Sequence, residues 1–538
     1  MTSALRSQRV RAVLVSLALG GLGASLDLFG GPPGLNVLLA AGALVLGLRL
    51  VLGPLSRMGR LLLAAGIVPA AGLILWDALQ LRALNLLALL GCLGLFLLFG
   101  VEPGREAQYD EGGESGEREE SGEGDPQGDR PWTLGGASVV QGLAGLAVAA
   151  GYGLVGGPIL WTATAREMNG KQTARRWLPV AGAATRGLLM AVPLLLFFMM
   201  LFTAADPAFG RLLDSLAAWD GWLAPAGHWL IRFAFWAWMA AGVLYTALRN
   251  PVPGLVTSLR VPTPTLQGLE PGVALAALNA LFLTFVVLQL RYLLGGVEGL
   301  EAAGSSYAQY ARRGFFEMVV AAAWVIPIVR IAQGLLPQGD QGAAHRLFRW
   351  MAWLMVALTG LMVVSAGHRL SLYVRAYGWT TARLYAGATM GGLALILLLL
   401  FFITRGRGDR GFAAGILGAA MLLLVVLNTI NPDAVVVGSH ARLAQKGEEP
   451  DWAYMARIGS HSADGVPQLM PVLPLLPAEL RGSAARTLLE QWGDDQGEGF
   501  LHWNLSRARA RRLVGEQADR LRQWERVGIG CTEARRLP

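Results

Sequence analysis

Runs of about twenty nearly uninterrupted apolar residues recur along this chain, and no other feature of it restricts the fold as tightly. A helix rises about 1.5 Å per residue, so about twenty residues cross a ~30 Å hydrocarbon layer. Within that layer each backbone N–H and C=O must find its partner inside the segment, which leaves the helix as the natural spanning form. The runs lie near 12–29, 35–52, 61–76 and 84–101, and then near 187–205, 229–248, 273–294, 317–336, 350–367, 385–404 and 412–430. The composition agrees: charged residues make up 15% of the chain, against roughly 25% in soluble proteins.

The expected fold class is therefore all-α: a polytopic helical membrane protein with about eleven transmembrane helices and a small soluble helical C-terminal domain. The expected units are a four-helix membrane block (1–101), a disordered acidic linker (102–130), an interfacial or re-entrant segment (131–186), a seven-helix membrane domain (187–430) and a soluble tail (431–538). The linker is rich in Glu, Asp, Gly and Ser and has too little apolar surface to offset chain entropy. The tail begins at Asn431-Pro432. Its apolar positions Leu513, Val514, Ala518, Leu521 and Trp524 recur at helical spacing.

Positive residues favour the cytoplasmic side, and this orients the chain. With the N-terminus inside, cytoplasmic loops hold Arg6, Arg9, Arg11, Arg57, Arg60, Arg166, Lys171, Arg175, Arg176, Arg186, Arg249, Arg260, Arg346, Arg349, Arg405, Arg407 and Arg410. The glycine-rich stretch 134–161 precedes one of these clusters, so it is expected to stay on the cytoplasmic side instead of crossing. The N-terminal charge-then-apolar order is that of a signal peptide without a clear cleavage site, so a retained anchor is expected. Eleven crossings place the tail outside. Lysine is confined to Lys171 and Lys446, and with the Ala-, Gly- and Leu-rich composition this points to a bacterial inner membrane.

The net charge of +8 is scattered over short loops, not gathered into the stripe that nucleic acid requires. Two cysteines, Cys92 and Cys531, offer neither a disulfide framework nor a paired metal motif. Two GxGxxG matches, at Gly151 and Gly406, lack the strand that a nucleotide site needs. His440, Asp451, His461 and Asp464 share the tail but have no metal-ligand spacing. No metal, cofactor or catalytic set is expected.

One set of charges runs against the loop asymmetry. Arg291, Tyr310, Arg312, Arg313, Glu317, Arg369, Tyr373, Arg375, Tyr377 and Arg383 collect at the outward ends of neighbouring spans. Guanidinium forks bind phosphate or carboxylate, and tyrosines add donors, so a pocket for an anionic ligand such as a lipid phosphate is one reading. The other is arginines snorkelling to headgroups together with ordinary Arg–Glu pairing.

Several of these stretches recur in one family. Gln289 to Gly296, Tyr307 to Glu317 and Arg369 to Tyr385, with Ala205-Asp206-Pro207-Ala-Phe209 upstream and Ser462-Ala-Asp464-Gly-Val-Pro467 in the tail, resemble a bacterial multi-pass membrane family. It is the domain of unknown function 4173, related to 4153. The resemblance covers roughly 187–512. It implies a membrane fold and assigns no activity.

These readings favour a non-enzymatic envelope protein whose extracytoplasmic Arg/Tyr face binds an anionic membrane lipid or ligand, with a protein partner for the tail. Two alternatives stand beside it. A transporter of an anionic substrate would show inverted repeats, and none is evident. A lipid-linked transferase would use Asp206 or Glu317 as its acid–base group.

Overall fold

The computed structural model describes residues 3–28, 31–100, scattered positions from 145 to 164, and 224–249, 270–294, 315–334, 342–405, 412–493 and 499–534. Among them every regular element is helical. The first half contributes α1 (Ser3–Ser25), α2 (Leu35–Leu52), α3 (Arg57–Ala65), α4 (Ile67–Leu75), α5 (Leu79–Leu95) with a π turn Phe96–Gly100, and α6 (Ala224–Arg249). Next come α7 (Glu270–Leu294), α8 (Phe315–Gly334), α9 (Ala343–Tyr377), α10 (Thr381–Arg405) and α11 (Phe412–Ile430). The tail holds α12 (Pro432–Gln445), α13 (Trp452–His461), α14 (Val466–Leu469), α15 (Ala478–Trp492), α16 (Leu505–Glu516) and α17 (Ala518–Ala534).

Among the described residues six segments are long and apolar enough to cross a membrane: Leu35–Leu52, Arg57–Leu75, Leu79–Gly100, His345–Arg375, Thr381–Arg405 and Phe412–Ile430. They show apolar side chains outward, as lipid-facing helices do: Leu46, Leu61, Leu87 and Leu90 are each more than half exposed. The expected crossings at 12–29, 229–248, 273–294 and 317–336 correspond to α1, α6, α7 and α8, which stand beside these six in the bundle. The crossing expected at 187–205, the linker 102–130 and residues 165–223 lie outside the described residues.

Sequence explains the local breaks. Segment Arg57–Leu75 is two helices joined at Gly66. Pro69 has no N–H for the carbonyl of Ala65 and its ring crowds that group, so the helix steps there. By contrast α9 continues for 35 residues, about ten past the end expected at Gly367. Nothing between Gly367 and Tyr377 stops a helix. Gly378 does, at φ 72, with its N–H capping back to Val374.

Packing ties the two halves together. The α1 and α6 helices run antiparallel, with Gly20 against Ala237 and Gly23 against Trp236 so closely that a Cβ at either glycine would come within 3 Å. The described positions of the glycine-rich stretch lie inside this bundle: Leu146 meets Gly94, Gly156 meets Tyr245, and Trp161 Nε1 donates to Ser16 Oγ at 3.1 Å. Asn85 of α5 and Asn428 of α11 exchange side-chain hydrogen bonds of 3.0 and 2.9 Å. Such a reciprocal amide pair satisfies two polar groups at once where water is excluded.

The tail has a core of its own, including Met455, Leu469, Leu473, Leu488, Val514 and Leu521, all sealed from solvent. Asp451 and Asn504 cap α13 and α16 by accepting from the N–H groups of Tyr454 and Arg507. The tail is docked on one end of the bundle. Asn504 donates to the carbonyls of Leu73 and Trp76, Leu35 N–H donates to Trp503, and Tyr454 meets Thr381. At the opposite end, Gln8 donates to Val51 and Ser56 to Gly100. The start of the chain and the tail therefore stand at opposite ends of the bundle.

Candidate functional site

Of the arginine–tyrosine set expected as a ligand site, the described side chains Arg369, Tyr373, Arg375, Tyr377 and Arg383 stand toward the tail end of the bundle and face several ways. Gly272 packs on Leu347 and Asn279 donates to the Met351 carbonyl at 2.9 Å, so α7 and α9 run parallel. Further along, Val286, Met318, Leu358, Met362 and Ala366 share one cluster. This brings Arg291, in the last turn of α7, and Glu317, in the first turn of α8, level with Arg369. Arg369 is 8% exposed and stands by helical spacing on the face that carries Met362 and Ala366. Tyr310, Arg312 and Arg313 lie outside the described residues, as does Asp206.

Arg383 has a structural assignment. Its guanidinium lies 4.0 Å from the centre of the Tyr373 ring and 6.0 Å from that of Tyr377. It donates to the Tyr377 carbonyl at 3.0 Å and to the Gly378 carbonyl. A cation over two aromatic faces that also caps the last carbonyls of α9 is held by the fold. Tyr373 and Tyr377 are themselves edge-to-face at 5.2 Å.

On a different face of α9 a cavity of about 440 Å³ opens against α10. Gly367, Leu370, Ser371, Val374 and Arg375 line it from α9, Trp379 from the turn, and Gly387 and Met390 from α10. Among the described residues Arg375 is its one charged lining residue. The walls are otherwise apolar except for Ser371, whose hydroxyl donates to the His368 carbonyl. Small residues at 367 and 387 make the space, because the helices part where neither side chain fills the groove. An apolar slot with one guanidinium at its edge matches an anionic amphiphile.

The second constellation is a buried carboxylate cluster between tail and bundle. Asp464 accepts from the backbone N–H groups of Asp77 and Ala78 at 2.9 and 2.8 Å, at the start of α5, and from Ser506 Oγ. Asp77 pairs with Arg507 at 3.0 Å and Arg82 at 3.1 Å. Burial pushes the Asp77 carboxyl up despite both arginines. Burial pushes Asp464 up against its donors, and raises Asp433 to about 6. The first 101 residues contain two carboxylates, Asp27 and Asp77, and both face the tail: Asp27 lies 3.7 Å from His502 and also pairs with Arg232.

The sequence held signals for this cluster. Asp464 belongs to the Ser462–Pro467 motif, and Asp77 is the lone carboxylate between two apolar runs. What tied them together, 387 residues apart, was contact alone. The tail histidines and acids fall into separate roles. His440 Nε2 bonds the Trp379 carbonyl at 2.8 Å, His461 faces the Arg457 carbonyl, and Asp451 is an N-cap. Among the described residues no group of three or more such side chains could hold a metal.

No curated protein and no solved structure matches the chain. A family model described as Domain of unknown function (DUF4153) matches residues 63–471. That span starts in α3 and ends just past α14, so it takes in part of the N-terminal block and the acidic linker, which the resemblance read from sequence left out, and stops short of 512. It includes Asp77, Asp433 and Asp464 and, with more than half of the sequence matched, establishes that the chain belongs to the DUF4153 family.

Proposed function

We propose that this is a non-enzymatic multi-pass protein of a bacterial inner membrane that holds an anionic amphiphile, of the phospholipid type, at the tail end of α9 and α10. The observation that carries the reading is the cavity between these helices, apolar over most of its wall and edged by Arg375. Acyl chain favours the wall, and phosphate favours the guanidinium. Arg291, Arg312 and Arg313 are assigned to the same ligand, Arg312 and Arg313 lying outside the described residues. In this reading the chain crosses about eleven times, the N-terminus and the solvated linker 102–130 are cytoplasmic, and the tail is a soluble extracytoplasmic domain open to a protein partner. Loop arginines support that orientation.

The test is lipid analysis of the full-length protein extracted in native-membrane discs. Arg375→Ala and Gly387→Leu, which fills the slot, should each lower co-purifying anionic lipid several-fold. Arg346→Ala, at the opposite end, should leave it unchanged. Equal lipid content in all four proteins would overturn the reading.

A further inference from the structure

Phe500, Trp503 and Leu505 are 77%, 42% and 45% exposed and cluster within six residues, whereas the other exposed large apolar side chains described in the tail, Leu475 and Val527, stand singly. None of the three belongs to the tail core. Their height is fixed by hydrogen bonds. The Trp503 carbonyl accepts from Leu35 N–H at 3.1 Å, at the first residue of the span Leu35–Leu52. Asn504 donates to Leu73 and Trp76, where the span Arg57–Leu75 ends. His502 Nδ1 lies 3.1 Å from the Pro32 carbonyl and 3.2 Å from Asn36 Nδ2. Residues 500–505 therefore sit at the level of the span ends, not on top of the tail.

We infer that this segment is an interfacial anchor: Phe500, Trp503 and Leu505 insert at the headgroup level of the bilayer around α2 and α4, and the tail rests on the membrane surface. The headgroup layer is where an indole with one wet edge is most stable, and where an exposed phenylalanine escapes water. Arg509 lies one turn after Leu505 on α16 and is exposed, so its guanidinium reaches the same layer and favours anionic headgroups. This inference rests on the helices spanning a bilayer and is independent of the cavity between α9 and α10. The occupant is the lipid surface, because the segment continues the tail–bundle interface outward at span-end height.

The experiment uses the full-length Cys531→Ser protein, in which Cys92 is buried. It is reconstituted in phosphatidylcholine vesicles containing phosphatidylglycerol. Phe500→Cys, Trp503→Cys and Leu505→Cys are each given a nitroxide label, and collision with oxygen is compared with collision with a water-soluble nickel chelate. Leu46→Cys, exposed in mid-α2, is the hydrocarbon reference. Arg522→Cys on α17, which packs on α15 and α16, is the aqueous reference. The oxygen-to-nickel ratio at 500, 503 and 505 should be several-fold above that at 522 and below that at 46. A ratio equal to that at 522, with 46 reporting hydrocarbon, overturns the anchor while leaving the spans intact. Low access to both reagents would mean that a protein surface covers the segment, which overturns it as well. An aqueous ratio at 46 would instead bring down the spans themselves.

Discussion

Arg507 and Asp77 stand 430 residues apart in sequence and form an ion pair of 3.0 Å with side chains only 3% and 7% exposed. The same guanidinium donates to the carbonyls of His502, at 2.6 Å, and Pro33, at 3.3 Å. One tail side chain thus holds the loop before α2 and the loop before α5. Removing Arg507 leaves the buried Asp77 with Arg82 as its remaining ion-pair partner and frees the carbonyls of His502 and Pro33, at a cost of up to about 3–5 kcal/mol. Arg507→Ala should therefore lower the thermal midpoint of the purified protein markedly and open the tail to limited proteolysis. Arg486→Ala, which loses a half-exposed pair with Glu525, should cost under about 1 kcal/mol.

The carboxylate cluster makes stability depend on pH. Asp433 is 6% exposed, and burial raises its carboxyl from 3.8 to about 6. Between these values the folded protein binds a proton that the unfolded chain has released. Stability contributed here is thus largest in acid and falls as pH rises from about 4 to about 6. About two pKa units correspond to about 3 kcal/mol. Asp433→Asn should be more stable than the parent above pH 6 by up to that amount and should flatten the pH profile between 4 and 6. An unchanged profile in thermal melts would exclude Asp433 as its source.

Gly72 makes the Asn85–Asn428 pair possible. A Cβ at Gly72 would lie 2.2 Å from Asn428 Oδ1 and 2.4 Å from Asn85 Nδ2, closer than atoms can approach. Gly72→Ala should cost about 1–3 kcal/mol through overpacking and a disrupted amide pair. Adding Asn428→Ala should recover part of the loss, because the nearer of the two clashing amides is gone and Asn85 can turn into the space it leaves. Additive losses in the double variant would show that the two positions do not compete for one space.

Topology can be checked independently of stability. The N-terminal end of α1 and the tail occupy opposite ends of the bundle, and loop arginines concentrate on the side of the former. Reporter fusions at the N-terminus and after Pro538 should therefore report opposite sides of the membrane, with the N-terminal one cytoplasmic. Two reporters on the same side would contradict this arrangement.

The helices were legible in the sequence because local rules set them. Apolar runs near twenty residues marked the six crossing-length segments, and the Asn431-Pro432 break marked where α12 and the tail begin. The apolar run ends at Gly367, yet α9 continues to Tyr377. Backbone bonding continues regardless of side-chain polarity until a residue such as Gly378 can take a positive φ.

The site was legible only in part. Sequence alone grouped Arg369, Tyr373, Tyr377 and Arg383, but side-chain direction divides them: Arg383 caps α9 over two tyrosines, and Arg375 lines the cavity. It also passed over Asp77, Asp433 and Arg507, since a lone carboxylate between apolar runs marks a position but not the distant segment that seals it. Period and composition are properties of neighbouring residues, and these decided helices and class. Burial and pairing depend on which distant segments meet, and that was decided only when the tail folded onto the ends of α2, α4 and α5.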